Sequence, residues 1–526
     1  MARQDEQKSL RRQGAASASV FLIVAVCFMV LIRYSVSDPR LNITRAKFDQ
    51  DTFHLPVIRQ FAEQWPTPDF SNYLSATTPG YHLAMSTLIG VSGKSDLVLT
   101  LRTSGAVLLA FFFVIGIFKA ALKWRESQRS SPTRTSGYID IAVALAIALP
   151  LLASSYIVQS AMYLLPDNLA WLFVSLVITS AVAISRAGWR VRPSWLACTS
   201  VLMMLLVFTR QIHIWTAAPI WIAVLVNQAM MRRGTSTDAS TSPAQINPIS
   251  IPELLRAVTS RAVALGVVAT VPAFIILGYF IWLWGGIAPP MFRAATNPLA
   301  ASGTGTATAV TGLSPASPVL ILALIGIFGT FYLGWILSAS MTASRGWLPR
   351  IDNLWGTLKA SAIGAAAAAL IAIVPPTTWS TPTRKGALWE ITRRFEGGSE
   401  FAGVRLPRLV IADHTNLIMW FLAVLGGAIL GLLWRGVDHR ARWVLATALL
   451  AFTAAQSAQA LSWQRYFEPF VLLWLILCVS NLRIGGRSGD VRMPAEAPPP
   501  MERWAWLGPV VLTVMLASIT YAAFGS

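Results

Sequence analysis

Two carboxylates with a single residue between them, Asp49 and Asp51, open the stretch FDQDTFHLPVIRQFAEQWPTPDFSNYLSATTPGYHLAMSTL that runs from Phe48 to Leu88 and also carries His54 and His82. A carboxylate held in its charged form can accept a proton, so this stretch offers a general base. The complementary residues are basic. Residues 375–413 hold Arg384, Lys385, Arg393, Arg394, Arg405 and Arg408, while Arg210 interrupts one apolar run and Arg465 borders another. Guanidinium groups in such places suit an anionic ligand such as a phosphate. Each group also has a plainer role: helix caps for Asp49 and Asp51, polar loop contacts for His54 and His82, a structural ion pair for Arg210 and a snorkelling anchor for Arg465.

The elements that must position these groups follow from local pattern. Phe53, Leu55, Val57, Ile58 and Phe61 recur at helical spacing with Arg59, Gln60 and Glu63 between them, which predicts an amphipathic helix over 52–63. Trp65, Pro66 and Pro68 end it, and Thr77, Thr78 and Pro79 offer the cap and first-turn proline of a second helix from Gly80. Asp49 and Asp51 then fall at the start of the first helix, where the positive end of its dipole favours an ionised carboxylate.

Composition fixes the solvent. The chain of 526 residues is 55% hydrophobic and 12% charged with 21 Trp, too apolar for a water-soluble fold. Long continuous apolar runs without alternation exclude a transmembrane β-barrel and predict an all-α polytopic membrane protein. Runs long enough to span lie near 16–36, 97–121, 138–157, 167–185, 194–210, 212–230, 262–284, 318–340, 356–375, 414–434, 443–461, 466–482 and 504–523. About thirteen transmembrane helices are expected, the first being a retained span rather than a removed signal peptide. With a cytoplasmic N-terminus, the basic loops at 119–134, 186–192, 232–233, 345–350, 435–442 and 483–503 all fall inside. The net charge of +19 therefore reports topology, and a nucleic-acid partner is not expected. Cys27, Cys198 and Cys478 lie in apolar runs with no metal or redox spacing.

That topology gives a single membrane domain over 1–526 with outer loops at 37–96, 285–317 and 375–413 and a cytoplasmic linker at 232–260. The first outer loop carries the acids, the second is Ala-, Thr- and Gly-rich and flexible, and the third is basic against the charge rule for outer loops. An anionic ligand at the outer face would account for those arginines.

FDQDTFHLPVIRQF followed by ATTPGYHL resembles the first luminal loop of the α-1,2-glucosyltransferases that add the terminal glucose to the lipid-linked N-glycan precursor. Shorter matches recur in the same order: YLLPD at Tyr163–Asp167, FTRQIHIW at Phe208–Trp215, WGGI at Trp284–Ile287, PRLVIAD at Pro407–Asp413 and RYFEP at Arg465–Pro469. The resemblance implies a GT-C membrane glycosyltransferase that moves a hexose, by inversion, from a polyprenyl-phosphate sugar to a glycan or lipid-linked acceptor at the outer or luminal face. No cofactor is expected beyond that donor substrate and no metal-ligating residues are assigned, while a divalent-metal requirement stays open. The membrane would be a bacterial plasma membrane or the endoplasmic reticulum.

The same resemblance distributes roles. Asp51 aligns with the second acidic position and Gln50 with the first, so the base is Asp51 or Asp49. Arg465, Arg393, Arg394 and Arg210 would bind the donor phosphate. His54, Asp167, Gln211, His82, Asp413, His414 and Tyr466 would contact substrate. The acidic residue that the family carries after WGGI is replaced here by Ala288, Pro289 and Pro290. The alternative class is a transporter or flippase for a lipid-linked or small-molecule substrate, which would show internal repeats and a polar path at mid-membrane.

Overall fold

The computed structural model describes residues 45–92, 137–187, 193–236, 249–296, 313–341, 351–378, 383–397, 399–401, 403–459, 461–482 and 505–525, with three helical positions at 22, 26 and 30. The expected span at 97–121 lies outside these residues, as do most of the span at 16–36 and residues 297–312 of the second outer loop.

The first loop folds as α1 (Arg45–Asp49), a π-helical turn (Gln50–His54) and α2 (Leu55–Glu63), followed by α3 (Gly80–Ser92). The helix therefore begins ahead of the two acids, not at them. Asp49 has helical backbone angles and makes no side-chain cap bond, so capping and the helix dipole do not explain it. The expected amphipathic face is present: Val57, Ile58 and Phe61 of α2 are buried. Phe61 packs on Tyr73, and Tyr73 on Trp284. The indole Nε1 of Trp284 also donates to the Phe70 carbonyl at 2.9 Å, so the WGGI segment holds the first loop in place.

Each expected span from 138 onward coincides with helix. The series runs α4 (Gly137–Ala153), α5 (Ser155–Met162), α6 (Asp167–Arg186), α7 (Pro193–Thr209), α8 (Ala217–Ser236), α9 (Ile251–Arg256) and α10 (Ser260–Trp284). It continues through α11 (Pro290–Thr296), α12 (Ser317–Thr330), α13 (Leu333–Met341), α14 (Ile351–Ile373), α15 (Ala387–Arg393), α16 (Leu417–Gly436), α17 (His439–Ser457), α18 (Gln464–Val479) and α19 (Leu507–Gly525). Among the described residues, five helices are long and apolar enough to cross a membrane, or up to seven when two bent pairs each count as one span. The bends are 68° between α4 and α5 and 86° between α12 and α13. The shortfall against about thirteen has identifiable causes. Two expected spans lie largely outside the described residues, while α7, α18 and α19 are short and α17 opens on His439, Arg440 and Arg442.

Small residues bring the helices of the bundle into backbone contact. A Cβ at Gly426 of α16 would stand 1.9 Å from the Leu322 carbonyl oxygen of α12, and one at Gly431 would stand 2.1 Å from that of Ala360 in α14. Without a hydrophobic drive between helices in lipid, such close van der Waals contact is what holds them. α6 is about 30 Å long at 1.5 Å per residue and separates two charged ends. Asp167 stands at one, and Arg186 at the other donates to Asp438 and Asn481.

Two stretches that the sequence reads as a linker and a basic loop contain helix and strand. At the end of the 232–260 linker, α9 has a Ser250–Glu253 capping box, and Arg233 grips Glu253 at 2.6 Å. Burial of Ile249, Leu254 and Ala257 against Val226 and Ala229 fastens it to α8. The 375–413 loop contains α15 and short strands: β1 (Arg384–Lys385), β2 (Glu400–Phe401), β3 (Val404–Arg405) and β4 (Val410–Ile411). β5 (Thr415–Asn416) pairs with β4, and β6 (Ser462–Trp463) pairs in parallel with β1.

Candidate functional site

At the Asp167 end of the bundle, a cavity of ≈ 200 Å³ is lined by Ala46, Tyr156, Gln159, Leu165, Asp167, Trp171, Lys385, Gly386, Trp463, Arg465 and Pro469. Its walls come from α1, α5, α6, β1, β6 and α18, so residues more than 400 positions apart in sequence meet there. The bend after α4 is what frees α5 to present Tyr156 and Gln159. Ser154, at that bend, donates its hydroxyl to Glu468 at 2.6 Å and so pins the bend to α18.

Asp49 joins the cavity through Arg465, whose Nη1 lies 2.5 Å from Asp49 Oδ2. Arg465 also donates to the Tyr466 hydroxyl at 2.7 Å and lies over the Trp463 ring at 4.7 Å. A second pair is built alongside. Arg210 holds Asp167, the acid that opens α6, and its guanidinium lies 5.4 Å from the Tyr466 ring centre. Tyr466 thus stands between two arginines, each tied to its own carboxylate. Trp463 and Tyr466 stack with rings only 5° from parallel, and Lys385 Nζ lies 5.0 Å from the Trp463 ring centre. An aromatic pair with cations over its rings, two of them paired to acids, can hold a polar ligand that carries an anionic group.

Asp51 faces elsewhere. Its side chain is 42% exposed and is held by Lys47 at 2.5 Å and by the Gln50 amide at 2.9 Å. Gln50 itself is buried and accepts from the Leu164 backbone N–H at 3.2 Å, which ties the π turn to the loop before α6.

His54 and His82 form a buried pair, with Nδ1 of one 3.0 Å from Nε2 of the other and the rings stacked. Burial first, then His82 and the charges of Arg210 and Arg465, push His54 well below the ordinary imidazole range, and burial pushes His82 down to about 3. Neither lines the cavity. The pair links α3 to the π turn that follows Asp49.

The other expected site residues lie apart from the cavity wall. The Gln211 amide is engaged by backbone: Nε2 donates to the carbonyls of Ala76 and Ile287, and Oε1 accepts from Thr78 N–H. It fastens the first outer loop to the segment after α10. Asp413 sits in an exposed turn at φ 60° and pairs with Arg408 at 2.6 Å. His414 places its ring nitrogens against the carbonyls of Ala412 and Ile373. Arg393 lies on the exposed end of α15 with Glu390 at 3.8 Å, and Arg394 is exposed beside it. Among the described residues, no group of three or more His, Cys, Asp or Glu side chains is gathered to hold a metal ion.

Sequence reasoning did not single out Tyr156, Gln159, Trp171 or Trp463, and it grouped Lys385 with the basic loop without separating it from its arginine neighbours. Trp463 and Lys385 are brought together by the β1–β6 pairing, a contact across almost eighty residues that no local pattern announces. Known proteins supply no further guide: no protein-family model matches the chain, and no curated protein or solved structure matches it.

Proposed function

We propose that the chain is a GT-C-type integral membrane glycosyltransferase with about thirteen spans that transfers a hexose from a polyprenyl-phosphate sugar to a glycan or lipid-linked acceptor at the outer or luminal face. The observation that carries the reading is the 2.5 Å contact joining Asp49 to Arg465 in the cavity wall, beside the Arg210–Asp167 pair. An inverting transfer needs a carboxylate for the acceptor proton and cations for the departing phosphate, and this end of the bundle has both.

In this reading the acceptor oxygen attacks the anomeric carbon and its proton passes to Asp49. The bond between the anomeric carbon and the phosphate oxygen breaks, and the phosphate leaves with the electron pair. Arg465 and Arg210 meet the growing charge, while Asp167 and Tyr466 keep both guanidinium groups in place. Asp49 is favoured over Asp51 as the base because Asp51 lies on the exposed side of the helix with Lys47.

The test is reconstitution of the purified protein in lipid with a radiolabelled polyprenyl-phosphate hexose and a short-chain glycolipid acceptor. Labelled acceptor that forms with inverted anomeric configuration supports the reading. A labelled donor left intact across an acceptor panel would remove it.

The two sharply bent helix pairs favour a second reading, a transporter or flippase, because broken helices build substrate paths in that class. Movement of a fluorescent lipid-linked sugar across a liposome bilayer, with the sugar still attached to its phosphate, would select it.

A further inference from the structure

The geometry points to Lys385 as the anchor for the anionic group of whatever ligand enters the cavity, a lipid-borne phosphate. This deepens the transferase reading and rests on it. Sequence and resemblance direct attention to the arginines, and two of these do stand at the site, but their charges are already met. Arg465 is matched by Asp49 and Arg210 by Asp167. Lys385 lines the same cavity and, among the described residues, has no carboxylate within ion-pair reach; its ammonium instead lies 5.0 Å from the Trp463 ring centre. The two arginines, Lys385 and the two aspartates together sum to one positive charge, Glu468 behind them being left out of the count. A phosphodiester carries one negative charge, so one such group brings the balance to zero.

The position of Lys385 is built. β1 pairs with β6 in register, Lys385 opposite Trp463, and the next residue, Gly386, adopts φ 131°. Gln464 accepts from the Leu388 backbone N–H at 2.9 Å and donates to buried Glu468 at 2.7 Å. Glu468 is held in turn by Ser154. The segment that carries Lys385 is thus fixed from behind by a buried polar chain, and Lys385 lines the cavity with its ammonium over the Trp463 ring. A preset cation of this kind holds an anion more firmly than a mobile surface lysine does, because less side-chain freedom is lost on binding.

The experiment measures binding of radiolabelled farnesyl phosphate to the full-length protein in detergent by equilibrium dialysis, with farnesol and inorganic phosphate as competitors. Lys385→Gln is expected to weaken farnesyl phosphate about 10- to 100-fold, as loss of a charge-assisted hydrogen bond should. Lys385→Arg is expected to restore most of the affinity. Farnesol should compete equally against parent and variant, since it lacks the phosphate. Inorganic phosphate that competes as strongly as farnesyl phosphate would show a free-anion site and overturn the lipid assignment. Equal affinity of parent and Lys385→Gln, with the variant folded as judged by its melting temperature, would overturn the inference while sugar transfer by the parent leaves the transferase reading standing. Tight binding lost in Lys385→Gln, in a parent that transfers no sugar, would uphold the anchor and sink the transferase reading alone.

Discussion

Exchanging Asp49 and Asp51 for Asn, one at a time, separates two carboxylates that the sequence places almost side by side. Asp51 makes an i,i+4 pair with Lys47 on a surface where its side chain is 42% exposed. Such pairs contribute about 0.3–0.5 kcal/mol, so Asp51→Asn should leave the melting temperature almost unchanged and the transfer rate within about threefold. Asp49 is different: its side chain is 9% exposed and is held by Arg465. An Asn there can still accept a hydrogen bond from Arg465 through its amide oxygen, so the fold should persist while the basic group is lost. Loss of a general base costs about 10²–10⁴ in rate, equivalent to about 2.7–5.4 kcal/mol of barrier. The assay is the initial rate of hexose transfer from a saturating polyprenyl-phosphate donor, with melting temperature and gel filtration as checks on folding. The reasoning fails if Asp51→Asn loses a hundredfold while Asp49→Asn keeps more than half the parent rate, for that would put the proton acceptor on the outward side of the helix.

Two further outcomes are expected. Gly386→Ala should destabilise the protein by about 1–3 kcal/mol, because the backbone lies at φ 131° and the new Cβ would stand 2.3 Å from Gln464 Cβ. Gly403→Ala, at φ 79° with open space around it, keeps only the backbone cost, so thermal melts in which the two variants fall equally would refute the part assigned to crowding. The buried His54–His82 pair should make stability depend on pH. With His82 at about 3 in the folded chain, the unfolded chain binds a proton that the folded one refuses between roughly pH 3 and 6.5. Stability is therefore full above that window and is lost as pH falls through it, by up to ~1.4 kcal/mol per pH unit for each imidazole. Melting temperatures taken from pH 7.5 to 4.5 should show a shallower slope for His82→Gln, and an unchanged slope would exclude the pair as the cause.

Helical periodicity was enough to locate α2, α3, α6, α8 and α10, because each has either a sharp apolar stripe or a long apolar run with clear ends. It did not locate the start of the first helix, since Arg45–Lys47 carry no apolar stripe to extend. Had the helix been started earlier, the choice between the acids would have been legible: residues two apart in a helix point about 200° away from each other, so only one of Asp49 and Asp51 can face inward. Arg210 and Asp167 were each visible as charges at the edge of an apolar run, and their pairing follows from the high cost of leaving either alone. Lys385, Tyr156 and Trp463 were not legible, because what brings them together is a two-residue strand pairing and a bent helix. The basic loop misled for a related reason. Arg393 and Arg394 are exposed at the end of a short helix whose buried side is Leu388, Trp389 and Thr392.

The cavity has a history as well as a shape. Its wall takes Ala46 from near the start of the chain, Tyr156 and Asp167 from the middle, and Trp463 and Arg465 from close to the end. During synthesis the chain emerges and inserts in order, so Asp49 reaches the membrane long before its partner Arg465 has been made. Until α18 docks, Asp49 lacks its Arg465 contact and β1 has no strand to pair with. A chain halted anywhere before Trp463 can bury most of its helices yet has no closed cavity. The cavity therefore closes late, once the chain has been made through Arg465 and with only α19 still to dock, through Thr520, against the Ala153 carbonyl at the end of α4.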